Sequence, residues 1–362
     1  MMNSSSFESR VKGCLLGGAC GDALGYPVEH KSLSDIYDAY GEEGLCEMQL
    51  ENGIARITDD TQMTIYTAQG LIHAADKNND YAGFVSEVHL SYLRWISSLL
   101  KNENEIVSMY SHLYSSQALL ENDLLNEANS GLDVKMCRGG STFDALLSGE
   151  RYSIDYPPEE GCRCGTIMRC APIGVYCHDK PECAFRLGRD CGVLTHGCPS
   201  AYLASGFMCM LLSYLLCGKD LEWSIDQCME YLFTQKDSTS LYNKLEKGIR
   251  LAKEPSPKAI DDIRSIGKGW RADENLAISL YCVLRYKRNV KAALIAAVNH
   301  SGDSDSVGAV CGNIIGAYAG YEAIPEEYLD HLQFKELLEE QGKKLIAHKC
   351  LLEYFVFMNT LV

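Results

Sequence analysis

The chain has 362 residues, 46% hydrophobic and 23% charged, a balance that excludes a disordered or low-complexity protein. Its net charge of −16 excludes a broad duplex-binding surface, because neutralising phosphates takes a basic face. A small anion held by a few arginines or helix N-termini stays open.

The first ten residues are polar and Ser-rich with no apolar run, so they read as a flexible start and not as a leader. Val11 to Gly25 follows with helical spacing and carries Gly13, Gly17, Gly21 and Gly25 at every fourth position. Glycine costs about 1 kcal/mol in a helix interior relative to Ala. Four on one face therefore need a compensating gain, and close backbone approach supplies one. Asp22 lies inside this stripe and reads as a buried hydrogen-bonding residue. Glu29 follows the helix and lies outside every acidic cluster in the sequence.

A glycine-rich break at Gly41–Gly53 leads to Thr58-Asp59-Asp60-Thr61, which opens an apolar helical run to Ala75. Asp59 with Gln62 fits a capping box, so this cluster alone supports a cap as well as a ligand site. Further helices are expected over Ala82–Leu100, Ser200–Cys217, Leu221–Thr234, Ala272–Tyr286, Val290–Val298 and Ser306–Tyr321, with breaks at Arg151–Gly165 and Glu254–Gly269. Ala201–Cys217 is the longest apolar run, and its Ser205, Gly206 and Ser213 favour a buried core helix over a membrane span. Arg169 sits in an apolar stretch and should satisfy internal acceptors, while His196 precedes a helix and either meets an anion or packs. No alternating strands and no long repeat are apparent. The expected fold is one compact all-α domain over residues 1–362.

Seventeen cysteines are scattered with no CxxC pair. Several, including Cys209, Cys217 and Cys282, lie in apolar helical runs where a thiol acts as a small hydrophobe. Most are expected to be reduced, in a cytoplasmic protein. Zinc at Cys162, Cys164, Cys170 and Cys177 would need a finger or ribbon spacing that is not there.

The last motif is the most informative. Gly302-Asp303-Ser304-Asp305-Ser306 sets two carboxylates and two hydroxyls before a helix with Gly308, Gly312, Gly316 and Gly320. One N-cap would explain one acid but not two, since neighbouring like charges repel unless a cation neutralises them. Oxygen donors without His or Cys suit Mg²⁺ or Mn²⁺. Neither acidic cluster can saturate an octahedral ion alone, so the fold should bring the two together.

Taken together, these motifs resemble the ADP-ribosylglycohydrolase family, including its dinitrogenase-reductase-activating members. The similarity runs from about Gly13 to Pro325. It includes Gly17–Glu29 (GGACGDALGYPVE), Thr58–Thr61 (TDDT), Arg138-Gly139-Gly140, Gly165–Gly174 (GTIMRCAPIG), Thr195-His196, Gly267–Trp270 (GKGW) and Gly302–Ser306 (GDSDS). The resemblance implies an all-α fold with a central site for two Mg²⁺ or Mn²⁺ ions, held by Thr58, Asp59, Asp60, Asp303, Asp305 and Ser306. It implies Glu29 and Asp60 as catalytic groups, and Gly165, Thr166 and His196 beside the ligand. The implied reaction releases ADP-ribose from a modified protein side chain, arginine by default, or from a small conjugate.

This sequence departs from the family at Ser306, where Thr is common, and in the loop Glu159-Glu160-Gly161-Cys162-Arg163-Cys164, where relatives commonly carry Gly and Asn. An all-α isoprenoid diphosphate synthase needs a DDxxD motif, yet Asp59-Asp60 runs into Thr61, Gln62 and Met63, and a second motif is only grazed at Asn122-Asp123. A non-catalytic binding or structural relative, as in lens crystallins of the family, is disfavoured because all four aspartates are present.

Overall fold

In the computed structural model of the chain, residues 4–120, 140–159, 161–348, 350 and 352 are described. Asn122-Asp123 and Arg138-Gly139 lie outside them. The architecture is all-α as expected, and the one sheet among the described residues is a short hairpin, Leu50–Glu51 with Ile54–Ala55.

At the centre, the Ser4–Gly25 helix runs antiparallel to the Ser304–Ala319 helix. Their glycines meet in reciprocal pairs, Gly13 with Gly316, Gly17 with Gly312 and Gly21 with Gly308. A Cβ on Gly17 would stand 2.5 Å from the Gly312 carbonyl oxygen, and one on Gly312 would stand closer still to that of Gly17. The bare stripes are thus the packing surface itself. Gly25 belongs to the same face and abuts the Ser304 carbonyl, which brings the end of one helix to the start of the other. Gly320 continues the contact, its carbonyl carbon 2.8 Å from where a Gly13 Cβ would stand, and it ends its helix at φ +91°, a conformation that favours glycine.

The Asp59–Asp76 helix is capped by Thr58, whose hydroxyl accepts the Asp60 amide at 3.3 Å. The capping box of Asp59 and Gln62 does not form, and Gln62 instead accepts the Trp95 indole N–H at 3.1 Å. The helices over Tyr81–Leu100, Leu221–Phe233, Ala272–Tyr286 and Val290–Val298 follow the expected apolar spacing. Pro199–Leu216 is long and apolar enough to cross a membrane, yet most of it is buried in this core.

The first helix starts at Ser4, so the segment expected to be flexible is largely helical. Arg10 fastens it to the carbonyls of Leu215, Ala317 and Tyr318. Helices at Pro181–Val193, Thr239–Lys253 and Lys335–Ala347 were not foreseen, nor was Ala259–Ile266 inside an expected break. Thr239–Lys253 buries only Leu241, Leu245 and Gly248, a stripe too thin to stand out in sequence.

Candidate active site

Where the two central helices converge, the acidic segments meet. Asp22 projects from the first helix and accepts the Thr58 amide at 3.1 Å, the Thr58 hydroxyl at 2.9 Å, and the Thr61 amide and hydroxyl at 3.1 and 2.5 Å. That fixes the turn presenting Asp59 and Asp60. Asp303 occupies the N-cap position of its helix without making a cap bond, so its carboxylate is turned to other partners. Its amide donates to the Lys268 carbonyl at 2.9 Å. Gly302 and Gly269 leave room for this strand of backbone, since a Cβ on Gly302 would strike the Lys268 carbonyl. The GKGW segment thereby holds the GDSDS segment in place.

These elements floor a cavity of about 490 Å³ lined by Glu29, Asp59, Asp60, Asp303, Asp305 and Ser306. Carboxylate oxygens of Glu29, Asp303 and Asp305 lie within 4.8 Å of one another. Glu29, separate in sequence, therefore belongs to the acidic group, because the Tyr26–Val28 turn after the glycine helix swings it back over Asp303 and Asp305. Its Oε1 also meets His30 Nε2 at 2.8 Å, and the His30 ring stacks on Trp270 at 4.8 Å.

Crowding shows in the acids' proton affinities. Burial raises the Asp22 carboxyl to about 6 despite its hydrogen bonds. Burial and the charge of Asp22 raise Asp59 to about 8. Asp60 and Asp305 are pushed well up by burial and by their acidic neighbours, and burial also raises Asp303. One buried oxygen of Asp60, Oδ2, has no hydrogen-bond partner. A buried carboxylate oxygen left bare costs free energy unless something neutralises it. An all-oxygen donor set of this kind, short of protein N–H donors, fits a hard divalent cation.

The opposite wall comes from the loop at Arg163 to Met168 and from His196. Arg169 is buried, with its guanidinium 4.3 Å from the Tyr92 ring centroid, and donates to the Thr195 hydroxyl at 2.6 Å. The Thr195 hydroxyl also shares a hydrogen bond with His196 Nδ1 at 2.8 Å. His196 itself lines the cavity. Burial, reinforced by Arg169 and Arg163, lowers His196 to about 3, so the ring is neutral. Gly165 makes space for it, as a Cβ there would lie 2.9 Å from His196 Cε1.

Other expected residues stand differently. The Thr166 hydroxyl donates to the Ala201 carbonyl at 2.9 Å, which ties the loop to the Pro199–Leu216 helix, and Thr166 is not among the cavity's lining residues. Thr58 is buried and its hydroxyl is given to Asp22. The Cys164 thiol reaches Asp303 Oδ2 at 2.7 Å, a contact that the sequence did not signal. Cys162 forms a disulfide with Cys198, tying the Gly165 loop to the start of the Pro199–Leu216 helix. It is the exception to the reduced state expected, for fourteen other described cysteines are free. Cys162, Cys164, Cys170 and Cys177 form no common zinc site. Lys31, Arg56 and Arg163 also line the cavity, with Tyr26, Tyr40 and Trp270; only their convergence in space reveals them.

The fold and site define an all-α protein with a buried carboxylate centre at the base of a polar cavity. The chain belongs to the ADP-ribosylglycohydrolase family, whose model matches residues 3–354. It is 24% identical over 345 residues to the ADP-ribosylarginine hydrolase Tri1 of Serratia proteamaculans, covering 95% of this chain and 81% of that one. It is 24% identical over 339 residues to the ADP-ribosyl-(dinitrogen reductase) glycohydrolase of Rhodospirillum rubrum, covering 92% and 94%. A solved structure described as an ADP-ribosylglycohydrolase-related protein complex matches with a TM-score of 0.64 at 23% identity, covering 95% of this chain and 99% of that one.

Proposed function

We propose that this protein hydrolyses the bond between ADP-ribose and an acceptor on a modified protein, with arginine as the first acceptor to test, and that it does so with Mg²⁺ or Mn²⁺. The observation that carries the reading is the bare Asp60 Oδ2 beside the carboxylates of Asp59, Asp303 and Asp305 and the hydroxyl of Ser306. With Thr58 at their edge, these residues would hold two divalent cations. Bound there, the ions would supply Lewis-acid binding of vicinal ribose hydroxyls and an acidified water.

The chain's own residues account for the rest. Lys31, Arg56 and Arg163 add cationic groups to the lining of the acidic cavity, a mixed polarity suited to a ligand that carries both a diphosphate and a ribose diol. Tyr26, Tyr40 and Trp270 offer flat apolar surface for a base. His196, a neutral ring in the cavity lining, offers a ring nitrogen for hydrogen bonding to the ligand. Glu29 and Asp60 are the groups that take the proton of the attacking water, and the acid cluster stabilises the oxocarbenium-like charge of the transition state.

A purely structural relative would gain nothing from keeping these buried acids, whose raised proton affinities are a standing cost. The free thiols suit a cytoplasmic setting. The test is release of free ADP-ribose from arginine-, serine- and acetyl-linked substrates with Mg²⁺ or Mn²⁺. No release from any of them, at any metal concentration, would overturn the assignment.

A further inference from the structure

On the far side of the Met168–Ala171 segment, three thiols converge that take no part in the acidic cavity. Cys177 ends the short helix Ala171–Tyr176, Cys183 lies in the first turn of Pro181–Val193, and Cys350 follows the Lys335–Ala347 helix. All three are buried, and their sulfurs lie within 4.8 Å of one another. Cys177 Sγ and Cys350 Sγ are 3.9 Å apart.

That spacing has a chemical meaning. With metal–sulfur bonds of about 2.3 Å, neighbouring thiolates of one tetrahedral or trigonal centre stand roughly 3.8–4.0 Å apart. We propose that Cys177, Cys183 and Cys350 form a binding site for a thiophilic metal ion, Zn²⁺ or Cu⁺, separate from the hard-cation centre of the acidic cavity. Buried cysteines are ordinarily small hydrophobes, and this chain has many. What separates these three is convergence from three chain segments, and no other trio of cysteines so close occurs among the described residues.

The surroundings are built for it. The Cys177 amide donates to Ile173 at 2.9 Å, and its carbonyl accepts the Lys180 amide at 2.9 Å and the Ser213 hydroxyl at 3.0 Å, so its sulfur is held on a fixed backbone. The Lys180 ammonium bonds the Cys350 carbonyl at 2.5 Å and sets a positive charge beside the trio. Sulfur donors select soft or borderline ions, whereas the carboxylates of the cavity select hard ones. Binding would release the thiol protons and clamp the segment after the last helix onto the pair of helices that follows Arg169.

The test is a titration of reduced, metal-stripped protein with Cd²⁺ under anaerobic conditions, in excess Mg²⁺ to occupy carboxylates. A thiolate-to-cadmium absorption band should grow to one equivalent. Cys350→Ser should weaken it at least ~10-fold, since even outer-shell partners matter on that scale. Cys228→Ser, at a fully buried thiol elsewhere, should leave it unchanged. Displacement of Cd²⁺ by Zn²⁺ or by Cu⁺ identifies the ion. No band in the wild-type protein, an unaltered band in a folded Cys350→Ser, or displacement by neither ion would each refute the site.

Discussion

Asp22 and Thr58 are joined twice, the Asp22 carboxylate accepting the Thr58 amide at 3.1 Å and its hydroxyl at 2.9 Å. The bond pair couples the last turn of the first helix to the N-cap of the helix that bears Asp59 and Asp60. Asp22 is thus a buried acceptor for two backbone amides and two hydroxyls, and it acts on the site through the turn it fixes.

Removing that acceptor should be felt at a distance. Asp22→Ala leaves the Thr58 and Thr61 donors buried without a partner, at about 1–3 kcal/mol for an unsatisfied group. Thermal denaturation should show a clear loss of stability, and the rise in melting temperature on adding Mg²⁺ or Mn²⁺ should shrink although no proposed ligand has changed. A variant that melts and responds like wild type would show that the turn holds itself.

The crowded acids make a signed prediction about pH. In the metal-free protein their folded-state affinities exceed the ordinary Asp value of about 3.9. The folded state therefore holds more protons than the unfolded one, and stability falls as pH rises through that interval. Buried His89, His196 and His300, lowered to about 3, 3 and 4, act in the opposite sense below about pH 6.5, the ordinary His value. The clean window is pH 6.5 to 8, where Asp59, raised to about 8, still titrates. Wild type without metal should lose stability across that window relative to Asp59→Asn. Saturating Mg²⁺ should reverse the trend by binding the folded state, and Asp303→Asn with Asp305→Asn should abolish the metal response. Parallel stability curves for wild type and Asp59→Asn would count against a raised Asp59.

The glycine pairs predict a sharp asymmetry. Gly17→Leu or Gly312→Leu drives a side chain into the opposing backbone, and overpacking costs ~1–3 kcal/mol or more. Melting temperatures should drop markedly for both, while the same change at the exposed Gly140, which opens the Gly140–Leu146 helix with nothing within 4 Å of its Cβ position, should cost little. Wild-type melting of both central variants would contradict the reciprocal packing.

What was legible in the sequence follows physical lines. The glycine period exposed the central pair because each glycine carries a helix cost that only close packing repays. The two acidic motifs were legible because carboxylates so close together need a cation or a proton. Glu29 was read as solitary because its neighbours come from residues 303 and 305, and only the turn after Gly25 brings them together. The cationic lining residues Lys31, Arg56 and Arg163 left no local signature, as each is an ordinary surface charge in sequence. Thr166 was placed beside the ligand by resemblance, yet its hydroxyl is spent on Ala201. The disulfide was missed because scattered cysteines have no spacing from which a partner can be read.

The grouping of Glu29 with Asp303 and Asp305 changes what its replacement should do. As a lone base it would affect turnover alone. With its carboxylate among theirs, Glu29→Gln removes a negative charge from the cation-binding group and a proton acceptor from the cavity. At saturating Mg²⁺ or Mn²⁺ the variant should turn over ~10²–10⁴-fold more slowly, the usual contribution of a general acid or base. It should also need more metal for half-maximal stabilisation. Asp60→Asn serves as the reference, because its buried Oδ2 has no other partner and its loss should impair metal binding and turnover together. ADP-ribose release and metal titration, measured on both variants, separate the roles. Normal metal affinity with slow turnover makes Glu29 a base only, whereas near-normal turnover removes it from the mechanism and leaves Asp60 as the group that takes the proton.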